Sequence, residues 1–224
     1  MTKSLAALAI AVALAVPHAP VAAQRQGSSP SFDCGKARSP VERAICASGE
    51  AARLDWQIGE QFGLLTRLLD KGAAAALRED QRVFITVRDE LYEPTESGRT
   101  RLLAQLRARR DLLAGIVVPP EGSRSLEGRW RNIAGEAAIT KESDGTLSLG
   151  VNTAEPTTGR WVCELGGVIE GGFVSTSSDM IIEPRRVGAA LKIEEHSSPN
   201  KRGTRDYCGL NGYVEGTYFL WRKP

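Results

Sequence analysis

The chain changes character at residues 117–123, which read VVPPEGS. Two consecutive prolines cannot continue a helix, because they fix φ and lack the backbone N–H, and the following glycine adds a further break. Before this segment apolar residues recur at helical spacing, and after it they alternate as they do in strands. The segment therefore predicts a linker at 119–125 between a helical domain, residues 32–118, and a β domain, residues 126–224.

The helical part shows four amphipathic segments with clear start and stop signals. Ser39-Pro40-Val41-Glu42 is a capping box with proline at the first helical position. This short helix should end near Gly49, and three longer helices should follow, with breaks at Gly72 and Pro94. Each has one apolar face, so we expect the four helices to pack on one another. We interpret the arginines of the fourth helix as a solvated face: Arg99, Arg101, Arg107, Arg109 and Arg110.

The β part consists of short alternating runs separated by turn residues. Leu147, Leu149 and Val151 form one such run, and Ser143-Asp144-Gly145 before it is typical of a hairpin turn. Seven to nine strands in about a hundred residues indicate an antiparallel barrel or sandwich. The predicted fold class is therefore α+β, with a small disulfide-pinned helical domain followed by an antiparallel β-barrel or sandwich.

The N-terminus has the pattern of a secretory signal peptide. Lys3 precedes an apolar run from Leu5 to Val16, and the small residues of Val21-Ala22-Ala23 suit cleavage. We expect residues 1–23 to be removed and residues 24–31 to form a flexible N-terminus. The product should be periplasmic or secreted, without insertion into a membrane.

Export makes disulfides available to the four cysteines, Cys34, Cys46, Cys163 and Cys208. The sequence leaves three pairings open, although proximity within each half favours Cys34 with Cys46 and Cys163 with Cys208. Because no CxxC motif occurs, a redox site of the thioredoxin kind is disfavoured.

Few residues suggest catalysis or metal binding. His18 lies in the signal segment, so His196 is the one histidine of the mature chain, and we place it in a turn-like loop. Glu194 and Glu195 should face opposite sides of a strand, so they cannot act as a paired acid and base. We expect no enzyme activity, no catalytic residues, no metal and no cofactor. The formal net charge of +2 argues against a nucleic-acid partner.

Several short motifs of the helical part stand at a distinctive spacing: Phe32-Asp33-Cys34, Lys36-Ala37, Pro40-Val41-Glu42, Ile45-Cys46, Leu54-Asp55, Gln81-Arg82 and Arg88-Asp89. In order and spacing, residues 31–91 resemble the lysozyme-inhibitor LprI-like N-terminal domain family. That family typically reads FDCxKAxxPxExxIC, then LD, then QRxWxxxRNxC. Phe84 and Asp89 replace its Trp and Asn, and Leu91 stands where it has a third cysteine. The resemblance implies an exported bacterial envelope protein and supports the Cys34–Cys46 pairing. Lysozyme inhibition is attributed to one family member.

Six residues are candidate contacts with a partner. Asp55, Arg82 and Arg88 should lie on different helices, where they form either an ion pair or a recognition patch. A polar, basic loop of the β part could meet carboxylates of a partner through Lys201, Arg202 and Arg205.

The ends of the β part resemble the calycin pattern. In that pattern Gly-x-Trp on the first strand, here Gly128-Arg129-Trp130, packs under a basic residue from the last strand, here Trp221-Arg222. We expect a binding protein that inhibits lysozyme or another cell-wall lytic enzyme. Two alternatives stay open: a carrier of small molecules or glycans inside the barrel, and an envelope hydrolase. The sequence gives no indication of the oligomeric state.

Overall fold

The computed structural model describes residues 29–197 and 204–224. The expected signal segment and the candidate contacts Lys201 and Arg202 lie outside the described residues. No helix in the described ranges is long and apolar enough to span a membrane. A helical part precedes a β part, so the predicted α+β class is confirmed.

The helical part contains four helices, and a side chain caps the start of each. After a 3-10 turn at Cys34–Lys36 come α1 (Pro40–Ala47), α2 (Gly49–Leu68), α3 (Lys71–Glu90) and α4 (Glu96–Gly115). The predicted capping box is present, because Ser39 accepts from the Glu42 N–H while Glu42 accepts from the Ser39 N–H. The Cys34–Cys46 disulfide is also confirmed, and it ties the 3-10 turn to α1.

The β part is a nearly closed antiparallel barrel. Its eight described strands are β1 (Gly128–Arg131), β2 (Gly135–Lys141), β3 (Leu147–Ala154), β4 (Val162–Ile169), β5 (Val174–Ser175), β6 (Met180–Val187), β7 (Ala190–Ser197) and β8 (Gly216–Leu220). Their order in the sheet is β4-β3-β2-β1-β8-β7-β6-β5. Each strand follows its neighbour in the chain, and pairing of β1 with β8 joins the two halves of the sheet.

Apolar side chains fill the barrel interior. Trp130 and Tyr218 are fully buried there, with aliphatic residues from β2, β3, β6 and β7 around them. A basic residue does lie over the Trp130 ring, 4.6 Å from its centroid, but it is Arg186 of β6. The expectation that the last strand supplies this residue is therefore wrong, and Arg222 is exposed.

A second apolar core joins the helices to the outside of the barrel. Leu112, Leu113 and Ile116 belong to the same buried cluster as Phe219 and Trp221. Backbone hydrogen bonds extend this contact, because Val117 N donates to Leu220 O over 2.8 Å and Arg222 N donates to Gly115 O over 2.9 Å. The end of α4 thus continues beside the last strand.

Asp80 of α3 forms a buried polar contact between the halves. Its Oδ1 accepts from Ile133 N over 2.8 Å, and its Oδ2 accepts from Arg109 Nη1 over 2.5 Å. Arg109 is buried, so the interpretation of the α4 arginines as a solvated face is wrong at this position. The reason is that α4 turns this side of its surface toward α3 and the barrel.

Asp70 forms a second polar contact, at the start of α3. Its Oδ1 caps the helix by accepting from Gly72 N and Ala73 N, and its Oδ2 accepts from Ala189 N over 2.6 Å. Burial acts to raise the pKa of Asp70, but the hydrogen bonds from Ala189, Ala73 and Gly72 outweigh it and hold that pKa below its usual value.

The linker in the sequence predicts that the helical part and the β part fold separately. The core that they share in the structure predicts instead that they unfold together. We expect circular dichroism of the helices and fluorescence of the tryptophans to report coincident guanidinium transitions. Asp80→Ala should lower the free energy of unfolding by about 3–5 kcal/mol and move both transitions to lower guanidinium concentration. The reason is that Arg109 keeps a buried charge without its partner. Glu79→Ala is the control, since Glu79 pairs with exposed Arg82. Two separated transitions would show that the halves fold independently.

Asp70→Asn should remove the contact with Ala189 while keeping a good helix cap. Because Asp70 is solvent-exposed, we expect a loss of only about 1 kcal/mol near neutral pH. A carboxylate with a lowered folded pKa stabilises the protein above its unfolded pKa of about 4, and this stability is lost as the pH falls through the folded pKa. Urea midpoints should therefore fall less steeply in acid for Asp70→Asn than for the wild type. Equal acid dependence would contradict the assignment, and Asp33→Asn, in a cap away from the barrel, serves as control.

Candidate functional site

A loop near the C-terminus packs beside β4, an edge strand of the nearly closed barrel. This sealing loop, residues 204–214, runs beside β4, where Glu164 N donates to Tyr207 O and Gly209 N donates to Val162 O, each over 2.8 Å. The Cys163–Cys208 disulfide, which the sequence favoured, fixes the same region covalently. The loop therefore covers the seam that the short strand β5 leaves open.

A buried carboxylate on β7 accepts hydrogen bonds from the sealing loop. The side chain of Glu195 is 0% exposed and accepts from Arg205 Nε over 2.6 Å. It also accepts from Tyr207 OH and from Val214 N, each over 3.0 Å. Three donors spread along the loop converge on one side chain, so Glu195 fixes the conformation of the whole segment.

The strand period explains why Glu195 is buried and its neighbour is not. Side chains alternate along β7, so Leu191, Ile193 and Glu195 point inward while Glu194 points outward. The prediction that the two glutamates face opposite sides is confirmed. The sequence contained a further signal, because Glu195 continues the apolar series of Leu191 and Ile193.

Two tyrosines complete the polar end of the barrel. Burial and the nearby Glu195 carboxylate raise the pKa of both Tyr207 and Tyr218 well above the usual value. Both phenols are therefore protonated at neutral pH and act as hydrogen-bond donors. Tyr218 OH donates to Val214 O over 2.7 Å, which adds a second bond at the end of the loop.

The tip of the sealing loop presents apolar side chains to solvent. Leu210 is 87% exposed, and Val162 and Tyr213 beside it are also exposed. The Tyr213 ring rests on Trp161, with 5.0 Å between the ring centroids. Position 212 under the tip requires glycine, because a Cβ there would lie only 2.9 Å from Cys163 Sγ. These apolar side chains on a held loop are therefore candidate contacts with a partner.

Of the three basic-loop residues predicted to contact a partner, the structure describes only Arg205. Arg205 is bound to Glu195, so it supports the loop rather than offering a free cation. Lys201 and Arg202 stay predictions, since they lie outside the described residues. Leu210 and Tyr213 carried no signal in the sequence, because exposure of an apolar residue depends on how the loop closes over the barrel.

The candidate contacts of the helical part are mainly structural. Asp55 and Arg88 form the expected pair between α2 and α3 at 3.8 Å, and both are buried. Asp55 Oδ2 also accepts from the backbone N and hydroxyl of Ser31, over 2.8 and 2.6 Å. Arg82 does not join them, because it lies on α3 with Arg88 and points to solvent, where it pairs with Glu79. Its expected place on a separate helix is wrong.

One group of described side chains on the outer face of β6 and β7 has ligand atoms within 4.8 Å of one another: Glu183, Glu194 and His196. His196 lies in β7, opposite Ile181, so its expected position in a turn-like loop is wrong. Both oxygens of Glu194 already accept hydrogen bonds, from Arg185 and Lys192. These bonds lower the pKa of Glu194 to about 2. A metal ion would have to displace two cations from this carboxylate.

Comparisons with known proteins add no assignment. No protein-family model, no curated protein and no solved structure matches the chain.

Adjacent glutamates provide a matched test of the sealing loop. We expect Glu195→Ala to lower the free energy of unfolding by about 2–5 kcal/mol, because Tyr207 OH and Val214 N lose their acceptor in a buried place. Glu194→Ala should change it much less, since its partners are exposed. Urea denaturation of both variants measures the difference. Equal destabilisation would contradict the assigned role of Glu195.

Proposed function

We propose that the protein is an exported binding protein that inhibits a cell-wall lytic enzyme by presenting the tip of the sealing loop to the enzyme's cleft. The observation that carries this proposal is Leu210, an 87% exposed leucine at the tip of a loop that is fixed on several sides. Inhibition needs a rigid complementary surface and no catalytic group.

Rigidity of the loop favours binding for a physical reason. A flexible loop loses conformational entropy when a partner fixes it, and this loss lowers the affinity. Here the disulfide, the strand-like bonds to β4 and the Glu195 contacts have already ordered the segment. Transfer of one leucine side chain from water to an apolar pocket stabilises a complex by about 1.5–3 kcal/mol.

The target class follows from the sequence. The signal-like N-terminus and the two disulfides are typical of an oxidising, extracytoplasmic compartment. The resemblance of residues 31–91 to the LprI-like family supports lysozyme or another lytic enzyme as the partner. Lys201 and Arg202, which precede the sealing loop in the sequence, remain proposed contacts with acidic groups on that enzyme.

Two alternatives have less support from the geometry. A carrier would need space inside the barrel, whereas Trp130, Trp161 and Tyr218 pack there with aliphatic residues. A hydrolase would need a carboxyl group able to donate a proton near neutral pH. Among the outward-facing acids that converge on β6 and β7, Glu194 is held ionised by Arg185 and Lys192.

A lysis assay tests the proposal. We expect the mature chain at micromolar concentration, equivalent to about 8 kcal/mol of binding free energy, to slow lysis of bacterial walls by lysozyme or by envelope lytic enzymes. Leu210→Asp should raise the concentration required by about tenfold or more, because a charge replaces the apolar tip. Turbidity measured at physiological salt, where weak charge effects are screened, gives the result.

The matched control is Leu64→Asp, which changes an exposed leucine on α2 far from the loop. Leu64→Asp should inhibit as well as the wild type. Equal potency of Leu210→Asp would exclude the loop tip as the contact. If the wild type, in large molar excess over each of these enzymes, slows lysis by none of them, the target class is refuted.

A further inference from the structure

A small cavity lies where the helical part meets the first strands of the barrel. Its volume is about 240 Å³, and it opens between α3, α4 and the turn from β1 to β2. Phe84, Leu112 and Ile133 give it apolar walls, while Arg109 and Arg131 supply two guanidinium groups. The cavity is separate from the sealing loop, so a ligand bound in it would be independent of the proposed function.

Arg109 brings a buried donor that the protein does not use. Its side chain is 1% exposed, with Nε donating to Gln81 and Nη1 to Asp80. The guanidinium carbon also lies over the ring of Phe84, 5.3 Å from the ring centroid. Nη2 has no acceptor within the described part of the chain. Buried guanidinium nitrogens normally have an acceptor, so this one points to a missing group.

Arg131 brings a second donor that lacks an acceptor. Its guanidinium is stacked on Trp221, with 4.5 Å to the ring centroid. Nε is buried without a hydrogen-bond acceptor among the described residues, and the nearest carboxylate oxygen, on Glu136, is 3.7 Å away. That carboxylate is engaged by Arg129, which donates to both of its oxygens.

The two arginines that line the cavity and the residues in their ion pairs together carry one positive charge in excess. Asp80 balances Arg109, and the single carboxylate of Glu136 serves both Arg129 and Arg131. One negative charge would therefore complete the cluster, whereas a dianion would leave an excess of the opposite sign. Guanidinium groups suit carboxylates, because their planar donors match the two oxygens.

We infer that this junction cavity binds a small monocarboxylate whose apolar body lies against Phe84, Leu112 and Ile133. The volume equals that of roughly eight water molecules in the liquid, which suits a molecule of about the size of benzoate. Because its walls come from both parts of the chain, an occupant would contact helices and barrel at once and stabilise them against unfolding.

Benzoate is the probe for this inference, with benzyl alcohol as the neutral analogue and inorganic phosphate as the dianion. Calorimetric titration and thermal unfolding of the mature chain should show saturable binding of benzoate at millimolar concentration or below. Benzyl alcohol and phosphate should bind at least tenfold more weakly. No saturable benzoate binding, or phosphate binding tighter than benzoate, would overturn the inference and leave water as the occupant of the cavity.

Two variants and one control locate the site. Arg131→Gln removes the excess charge and should weaken benzoate binding at least tenfold. Ala108→Leu, at an exposed α4 position that lines the cavity, should weaken it comparably by filling the space while both arginines stay. Arg129→Lys keeps the charge of a neighbour that also stacks on Trp221, at 5.5 Å, and lies outside the lining. It should bind benzoate within twofold of the wild type, and equal weakening in Arg129→Lys and Arg131→Gln would overturn the assignment.

Discussion

The docking of the last strand on two partners at once is the constraint on which the rest of the structure depends. β8 joins β1 inside the sheet, where Trp221 N donates to Arg129 O over 2.7 Å. On its other side the same end of the chain binds Gly115 and Val117 at the end of α4. A side chain at Gly115 would collide with Trp221, since a Cβ there would lie 2.1 Å from Nε1. The same few residues thus close the barrel and attach the helices to it.

Two buried carboxylates of this arrangement each hold a distant part of the chain in place. Asp80 connects α3 to Ile133 and neutralises Arg109. Glu195 accepts hydrogen bonds from the sealing loop and holds it against β7. Buried carboxylates are unfavourable unless donors surround them. Where the donors belong to a distant part of the chain, the carboxylate therefore selects one arrangement of that part. Glu195 does so for the sealing loop, and Asp80 does so for the contact between the helical part and the β part.

The two binding features that we propose differ in kind. The sealing loop projects an apolar tip that suits the cleft of a large partner, while the junction cavity is small, cationic and lined by both halves. They lie on separate elements, so occupation of one leaves the other accessible. The two proposals can therefore succeed or fail independently.

The sequence by itself determined the local structure. Ser39 and Glu42 define the start of α1, and alternation around Leu149 defines a strand, because each depends on residues close together in the chain. For the four cysteines the sequence left three pairings open and only favoured the pairing within each half that the structure has. Only the tertiary structure decided that Arg109 is buried, that Arg186 covers Trp130, and that Glu195 holds a loop tipped by Leu210. These environments are created by contacts between segments far apart in sequence, and the period of a single helix or strand does not specify which distant surface will cover it.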